Sequence, residues 1–272
     1  MKKKVEWVEF LSGIMILWMI LYHVFIYTGN KQSFVCEELY KVFFFFMPWF
    51  FFKSGMFAKN TSIKECITPS FRSLLVPYVV FSVFGYGAYV LQQIILGETT
   101  IHKMIIEPAA TLLFTGSILG NLPLWFLLAL FLVKVLYQLL SKIKMNSIQI
   151  AALSLLVCYM GHVLGIKTPF YIWNAFSGLL FYSLGNMFKS MQFNRTIACV
   201  SLVLYVVAIF ILPNSVQMRS NSLEMGCYLM WPITSVAAVV VWNNAAKYFE
   251  HIQGKTTVAR IAMGGGEMCW SE

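Results

Sequence analysis

The residues in this sequence that could do chemistry begin on its first apolar run, Glu6 to Tyr27, which contains a histidine. The run is long enough to cross a bilayer, which takes about 20 helical residues, and His23 lies well inside it. An ionisable side chain within a span is costly to keep in lipid, so it normally faces a protein interior or a wet cavity. Because histidine exchanges protons near neutral pH, His23 is a candidate for acid–base chemistry. The alternative is a packing histidine with a partner on a neighbouring helix.

Glu9 and Ser12 share a helical stripe with His23, because residues 12 and 23 are about three full turns apart. At about 1.5 Å of rise per residue, His23 lies about 24 Å above Trp7. That depth is the outer part of a hydrocarbon core about 30 Å thick. The stripe therefore runs from one membrane surface toward the other.

Other polar side chains are predicted at the depth of His23, and we expect them to bind the substrate. They are His162 near the outer end of its helix, Asn174, and Glu224 with Tyr228 at the opening of the last helix. Asn174 and Tyr228 are also candidate donors to a developing oxyanion. For His162 the alternative is an interfacial histidine that is satisfied by water.

The composition predicts an integral membrane protein whose partner is the lipid bilayer. Hydrophobic residues make up 59% of the chain and charged residues 11%, against about 25% charged residues in soluble domains. The net charge of +9 could suggest nucleic acid, but the basic residues are scattered at the ends of apolar runs, without an arginine-rich or stacking-aromatic module. We therefore expect no nucleic-acid partner. The cysteines form no CxxC pair, so no metal site is predicted.

Apolar runs of spanning length predict an all-α fold, a polytopic transmembrane bundle of about eight helices. The runs cover residues 7–28, 39–58, 73–96, 122–141, 147–165, 170–188, 196–212 and 223–246. A cytoplasmic N-terminus satisfies the positive-inside rule, because the outer loops then carry only Lys31, Lys103, Lys167 and Arg219. We expect a single domain over residues 1–260, followed by a short atypical tail at 261–272.

The segment 101–120 is apolar enough to suggest a further span, but a full crossing would reverse the charge bias of every later loop. We therefore predict an outer loop or a re-entrant segment. It should break at Glu107-Pro108, because proline cannot continue the hydrogen-bond ladder of a helix.

Four stretches together closely resemble the acyltransferase 3 family, in particular its fucose 4-O-acetylase-like branch. They are EWVEFLSGIMILWMILYH at 6–23, FFFFMPWFFFKSGMF at 43–57, FRSLLVPYVVFS at 71–82 and LPLWFLLALFL at 122–132. The resemblance implies a multi-pass enzyme of the bacterial cytoplasmic membrane. Such an enzyme moves an acyl group, usually acetyl, from cytoplasmic acyl-CoA to a hydroxyl of a cell-surface or capsular glycan. Acetyl-CoA is then the donor substrate, and no permanently bound cofactor is expected.

The resemblance also implies roles for particular residues. His23 matches the family's histidine and is expected to act as general base or transient acyl acceptor, while Glu9 falls where the family commonly has Asp and is the second catalytic candidate. Arg72 and Lys53 are expected to bind the CoA end of the donor. Ser12 departs from the family pattern, which has a basic residue at that position.

A second departure is the end of the chain, AMGGGEMCWSE, where the family usually continues with further helices. We therefore expect a truncated or frame-disrupted member. Two alternatives to an active acyltransferase stay open, namely a membrane transporter or glycan flippase, and an inactive remnant that only packs in the membrane.

Overall fold

The apolar runs fold as helices, and the limits of those helices depend mainly on proline and glycine. The computed structural model describes residues 6–59, 62–189 and 195–253. Its helices and strands are α1 (Glu6–Tyr27), α2 (Phe34–Phe43), α3 (Phe46–Met56), α4 (Ile63–Ser70), α5 (Val76–Leu96), α6 (Glu107–Thr115), α7 (Trp125–Lys142), α8 (Ser147–Val163), α9 (Phe170–Phe188), α10 (Arg195–Phe210), β1 (Ser215–Gln217), β2 (Ser222–Met225) and α11 (Met230–Gln253). Two π-helical turns, Phe71–Leu75 and His102–Ile106, lead into α5 and α6, and a short 3-10 turn, Leu122–Leu124, leads into α7.

The helical class of the fold is confirmed. Within the described residues, three helices are long and apolar enough to cross a membrane, namely Glu6–Tyr27, Ile63–Leu96 and Leu122–Lys142. Helices α8 and α10 are apolar but shorter. The count of about eight spans and the cytoplasmic N-terminus stay predictions.

The run predicted as one span over residues 39–58 is two helices. Helix α2 ends at Phe43 and α3 begins at Phe46. Pro48 explains the break, because it has no N–H to donate to the carbonyl of Phe44 and is tolerated only in the first turn of a helix. The first turn of α3 is instead closed by Trp49 N, which donates to Phe45 O at 2.8 Å.

The break predicted at Glu107-Pro108 is wrong, because the chain stays helical from the π turn at His102 through α6. Proline lacks the N–H that would bond to Met104 O, and that carbonyl instead accepts from the hydroxyl of Tyr86 at 2.7 Å. The neighbouring carbonyl of Lys103 accepts from the hydroxyl of Tyr89 at 3.1 Å. The two tyrosines lie on α5, so side chains of one helix supply the bonds that proline and the π turn remove from the next.

The last predicted span, residues 223–246, begins too early. Residues 215–225 form the antiparallel hairpin β1–β2, and α11 starts only at Met230. Glu224 is therefore on β2 and Tyr228 is in the turn before α11, so neither residue opens the helix as predicted. Asn221 at the hairpin tip takes a positive φ of 57°, which asparagine tolerates better than most residues.

The chain divides into two compact units. The first contains the described parts of Met1–Trp49, Gln192–Ser215 and Met225–Glu272, and the second contains those of Phe50–Met191 and Val216–Glu224. The single domain over residues 1–260 stays a prediction, and the tail 261–272 lies outside the described residues.

In the first unit, α11 packs against α1 and α10. Aromatic rings fill the space between these helices and α2, with Trp18 stacked on Phe43 at 5.5 Å. Polar edges within this core are paired, since Trp242 Nε1 donates to the hydroxyl of Tyr205 at 2.9 Å. That hydroxyl donates to Val42 O at 2.8 Å.

In the second unit, α9 packs against α7 and α8 and is crossed at very close range by α3. A Cβ on Gly55 would lie 1.9 Å from Tyr182 O, and a Cβ on Gly185 would lie 2.0 Å from Phe52 O. Each helix thus presents a glycine to the backbone of the other. No larger residue fits at either position unless the helices separate.

We predict that Gly185→Ala lowers the thermal unfolding midpoint in detergent, because the added methyl would overlap backbone and overpacking costs about 1–3 kcal/mol. Gly87→Ala is the matched control, since Gly87 is also helical and nothing lies within 4 Å of its Cβ position. The control should match or exceed the wild-type midpoint. Equal midpoints for both variants would contradict the close crossing of α3 and α9.

Tyr86→Phe should also lower the unfolding midpoint, because it leaves Met104 O without the hydroxyl that it accepts from. A fully buried carbonyl left unsatisfied costs about 1–3 kcal/mol, and the cost at the half-buried Met104 should lie at or below the lower end of that range. Tyr248→Phe, at a side chain 66% exposed, serves as control and should have no effect. If the two variants unfold alike, the hydroxyl of Tyr86 does not stabilise the helix around Pro108.

Candidate functional site

His23 is held by its own helix in one ring orientation. Its Nδ1 lies 2.7 Å from Met19 O, and a carbonyl oxygen can only accept. Nδ1 therefore carries the proton, and in the neutral ring Nε2 is the nitrogen with the free lone pair. The side chain is half-buried, so α1 presents a proton acceptor from within an apolar helix.

Aromatic rings restrict the imidazole further. Tyr22 meets His23 edge-on with ring centroids 6.2 Å apart, and Tyr27 lies one turn above with centroids 6.4 Å apart. Tyr22 in turn stacks on Tyr40 of α2 at 5.3 Å. The hydroxyl of Tyr40 is hydrogen-bonded to Ser215 Oγ at 2.7 Å, so the rings beside His23 are themselves fixed by other elements of the first unit.

Ser12 and Glu9 lie lower on the same helix. Ser12 is 3% exposed and its hydroxyl donates to Val8 O at 2.5 Å, so the hydroxyl is satisfied within α1. Glu9 is half-buried in the first turn, where the helix dipole stabilises a carboxylate. Because α1 is unbroken, Glu9 and His23 are about 21 Å apart along its axis, and Glu9 cannot hydrogen-bond to the imidazole.

A lysine that the sequence does not connect with α1 approaches its first turn. The ammonium of Lys247, on α11, lies 5.0 Å from the ring centroid of Trp7, within the range of a cation–π contact. It brings a positive charge to the end of α1 where Ser12 departs from the family's basic residue. No local pattern reveals this contact, because the two residues lie near opposite ends of the chain.

Tyr228 is 3% exposed and belongs to the same unit as His23 and Glu9. Its ring packs edge-on against Trp231 with centroids 6.1 Å apart. The turn that carries it is fixed by Cys227 N, which donates to Asn214 Oδ1 at 2.7 Å. The predicted oxyanion donor is thus set in a defined turn and buried.

Asn174 is the most unusual polar residue of the second unit. It is 1% exposed, and neither its Oδ1 nor its Nδ2 has a hydrogen-bond partner among the described residues. Leaving a buried polar group unsatisfied costs about 1–3 kcal/mol. A primary amide that is buried but unbonded is suited to binding a polar group from outside the chain.

His162 and Glu224 are the other outer-end candidates of this unit. His162 is half-buried in the last turn of α8. Its neighbour Gly161 touches the indole of Trp173, where a Cβ would lie 2.2 Å from Cη2, so α8 and α9 meet closely beside these residues. Glu224 is exposed on β2.

The predicted donor-binding residues also belong to the second unit. Lys53 is half-buried on α3, and Arg72 is exposed in the π turn between α4 and α5. The sequence analysis misses Lys134, a half-buried lysine in the spanning helix α7. The thiol of Cys66 lies 3.9 Å from the backbone carbonyl of Lys134. An ionisable residue inside an apolar run is the signal that could have found it.

An open apolar groove of about 650 Å³ lies along α5, α6 and α7 in the second unit, and no predicted site residue lines it. Two of its tyrosine hydroxyls donate to backbone carbonyls, Tyr78 to Gly116 O at 3.1 Å and Tyr86 to Met104 O at 2.7 Å. Among residues 6–59, 62–189 and 195–253, no group of three or more His, Cys, Asp or Glu side chains could hold a metal ion.

The predicted site residues thus fall into two sets. His23, Glu9 and Tyr228 belong to the first unit, and Arg72, Lys53, His162, Asn174 and Glu224 belong to the second.

Among the described residues, three helices are long and apolar enough to cross a membrane, and the first of them carries His23. The chain belongs to the acyltransferase 3 family, since the family model for this acyltransferase domain matches residues 5–262. The family and the apolar helices together indicate a membrane acyltransferase. No curated protein and no solved structure matches the chain.

The tautomer of His23 can be measured by ¹⁵N NMR of protein labelled at histidine. In the neutral ring we expect Nδ1 to be protonated and Nε2 to be unprotonated, because Met19 O can only accept. The resonances of His23 are those that disappear in His23→Gln. A neutral ring protonated at Nε2 would contradict the hydrogen bond to Met19.

Proposed function

We propose that this chain is a membrane O-acyltransferase that moves an acetyl group from cytoplasmic acetyl-CoA to a hydroxyl of a cell-surface or capsular glycan. The family supplies the class of reaction. The hydrogen bond from His23 Nδ1 to Met19 O supports a general base at Nε2, and this is the observation that carries the proposal. The fucose 4-O-acetylase-like branch and the bacterial cytoplasmic membrane are parts of the same proposal.

The reaction needs one proton acceptor and one proton donor. Nε2 of His23 takes the proton of the acceptor hydroxyl while that oxygen attacks the thioester carbonyl. The tetrahedral intermediate then expels the CoA sulfur. The sulfur takes the proton from the imidazolium, so that ester and free CoA are formed. Met19 O faces the protonated Nδ1 throughout and stabilises the imidazolium that exists between the two transfers.

The remaining candidates divide between the two substrates. Arg72 and Lys53 supply positive charge for the phosphates of CoA. Tyr228 is the better-supported oxyanion donor, since it belongs to the unit that carries His23. Asn174, with His162 and Glu224, is assigned to the acceptor. Holding both substrates together supplies much of the rate by itself.

The test is mass spectrometry of the surface polysaccharide from a host that lacks the gene and is complemented with variants. Wild type should add acetyl groups, and His23→Ala and His23→Gln should add at least about 100-fold less at equal membrane expression, because a general base contributes about 10²–10⁴ in rate. His102→Ala is the matched control, since His102 is an exposed histidine and should leave acetylation unchanged.

Acetylation by His23→Ala at the wild-type level would reject His23 as the base. If wild type itself adds no acetyl group, the acyltransferase proposal fails. Uptake of a solute into proteoliposomes would then identify the transporter alternative. If neither acetylation nor uptake is detected, the chain is an inactive remnant.

A further inference from the structure

The tip of the β1–β2 hairpin is bound to the helices of the second unit. Asn221 Nδ2 donates to Cys158 O of α8 at 2.8 Å, and Asn221 is 4% exposed. Ser177 Oγ of α9 lies 3.4 Å from Met218 O. The residues between β1 and β2 therefore cover one face of α9.

Arg219 is in this tip. Its guanidinium carbon lies 5.9 Å from the ring centroid of Phe170, which is the first residue of α9. An arginine over an aromatic face keeps its N–H donors at the edge of the ring, where they can meet an anion. The hairpin thus brings a positive charge to the outer end of α9.

Asn174 lies between these two contacts on the same face of α9. It follows Phe170 by four residues and precedes Ser177 by three, and such spacings place side chains on one helical face. The hairpin touches α9 one turn before Asn174, at Phe170, and one turn after it, at Ser177. The unbonded amide of Asn174 is therefore directed to the face that the hairpin covers.

We propose that Asn174 and Arg219 form a recognition site for a carboxylate-bearing sugar residue of the acceptor, which binds between the hairpin tip and α9 with Arg219 on one side of it and Asn174 on the other. Arg219 and Nδ2 of Asn174 are both planar N–H donors that suit the two oxygens of a carboxylate. Oδ1 of Asn174 accepts from a sugar hydroxyl. This inference rests on the proposed function and names the substrate class of its acceptor site.

The site predicts a preference between two acceptors that differ at C6, which is a carboxylate in one and an uncharged hydroxymethyl group in the other. The full chain, purified into lipid nanodiscs, is titrated with trigalacturonate and with galactotriose. Wild type should bind trigalacturonate about tenfold more tightly, because hydrogen bonds to a charged group are stronger than those to a neutral group.

Variants assign the preference to the two residues. Arg219→Gln should bind trigalacturonate and galactotriose with about equal affinity. Arg219→Lys, which keeps the charge, should retain part of the preference for trigalacturonate. Asn174→Asp should weaken trigalacturonate binding more than galactotriose binding, because it sets a carboxylate against a carboxylate. Lys167→Gln is the control, since it removes the same charge from an exposed residue just before α9 and should leave the preference unchanged. Unfolding midpoints show whether each variant is folded.

The inference is overturned if wild type binds both sugars equally or binds neither, or if Arg219→Gln keeps the full preference. The proposed function is tested separately, by transfer of a labelled acetyl group from acetyl-CoA in the same nanodiscs. Transfer without a charge preference rejects only the acidic acceptor. A charge preference without transfer to any acceptor rejects the acetyltransferase and leaves the binding site.

Discussion

The structure depends on one constraint, that backbone groups removed from water must find their hydrogen-bond partners within the protein. The helix around Pro108 shows how the chain meets it. Pro108 has no N–H to donate to Met104 O, and Glu107 N donates to His102 O. Tyr86 and Tyr89 of α5 donate to the carbonyls of Met104 and Lys103. Pro108 and the π turn before it are therefore also the reason that α5 is hydrogen-bonded to the turn that leads into α6. Such bonds are specific, whereas hydrocarbon contacts alone discriminate poorly between helix neighbours in a membrane.

The same constraint acts at His23, the proposed general base. The imidazole bonds to a carbonyl of its own helix, and this removes the cost of burying one ring nitrogen while it leaves the other nitrogen basic. A serine that bonds back to its helix, as Ser12 does at Val8 O, uses the same geometry without any reactive consequence. The difference is that histidine has a second ring nitrogen, whereas serine has only one polar side-chain atom. A polar residue in a span is thus a functional candidate only when one of its polar atoms is not already bonded to its own helix.

The long apolar helices could be predicted from the sequence because length and hydrophobicity alone define them. Helix α1 matches its predicted run closely, and the histidine within it is visible for the same reason. The second strand of the β1–β2 hairpin was hidden, because Leu223 and Met225 extend the predicted run 223–246 over it, although Ser220 and Asn221 just before it are typical turn residues. Contacts such as those of Lys247 with Trp7 and of Arg219 with Phe170 could not be predicted, because they depend on how separate helices pack. The unbonded amide of Asn174 is likewise a property of packing, since its sequence neighbours do not distinguish it from a satisfied asparagine.

The first unit is built from segments near both ends of the chain, and this has a consequence for biogenesis. Helix α1 is synthesised first and packs against α11, which is synthesised after every other described helix. Until α11 is inserted, the face of α1 that packs against α11 can meet only lipid, the insertion machinery or helices that are not its final neighbours on that face. The second unit, drawn mostly from the middle of the chain, can assemble earlier. A lesion late in the gene would therefore leave one face of the first helix that the ribosome made without its final neighbour.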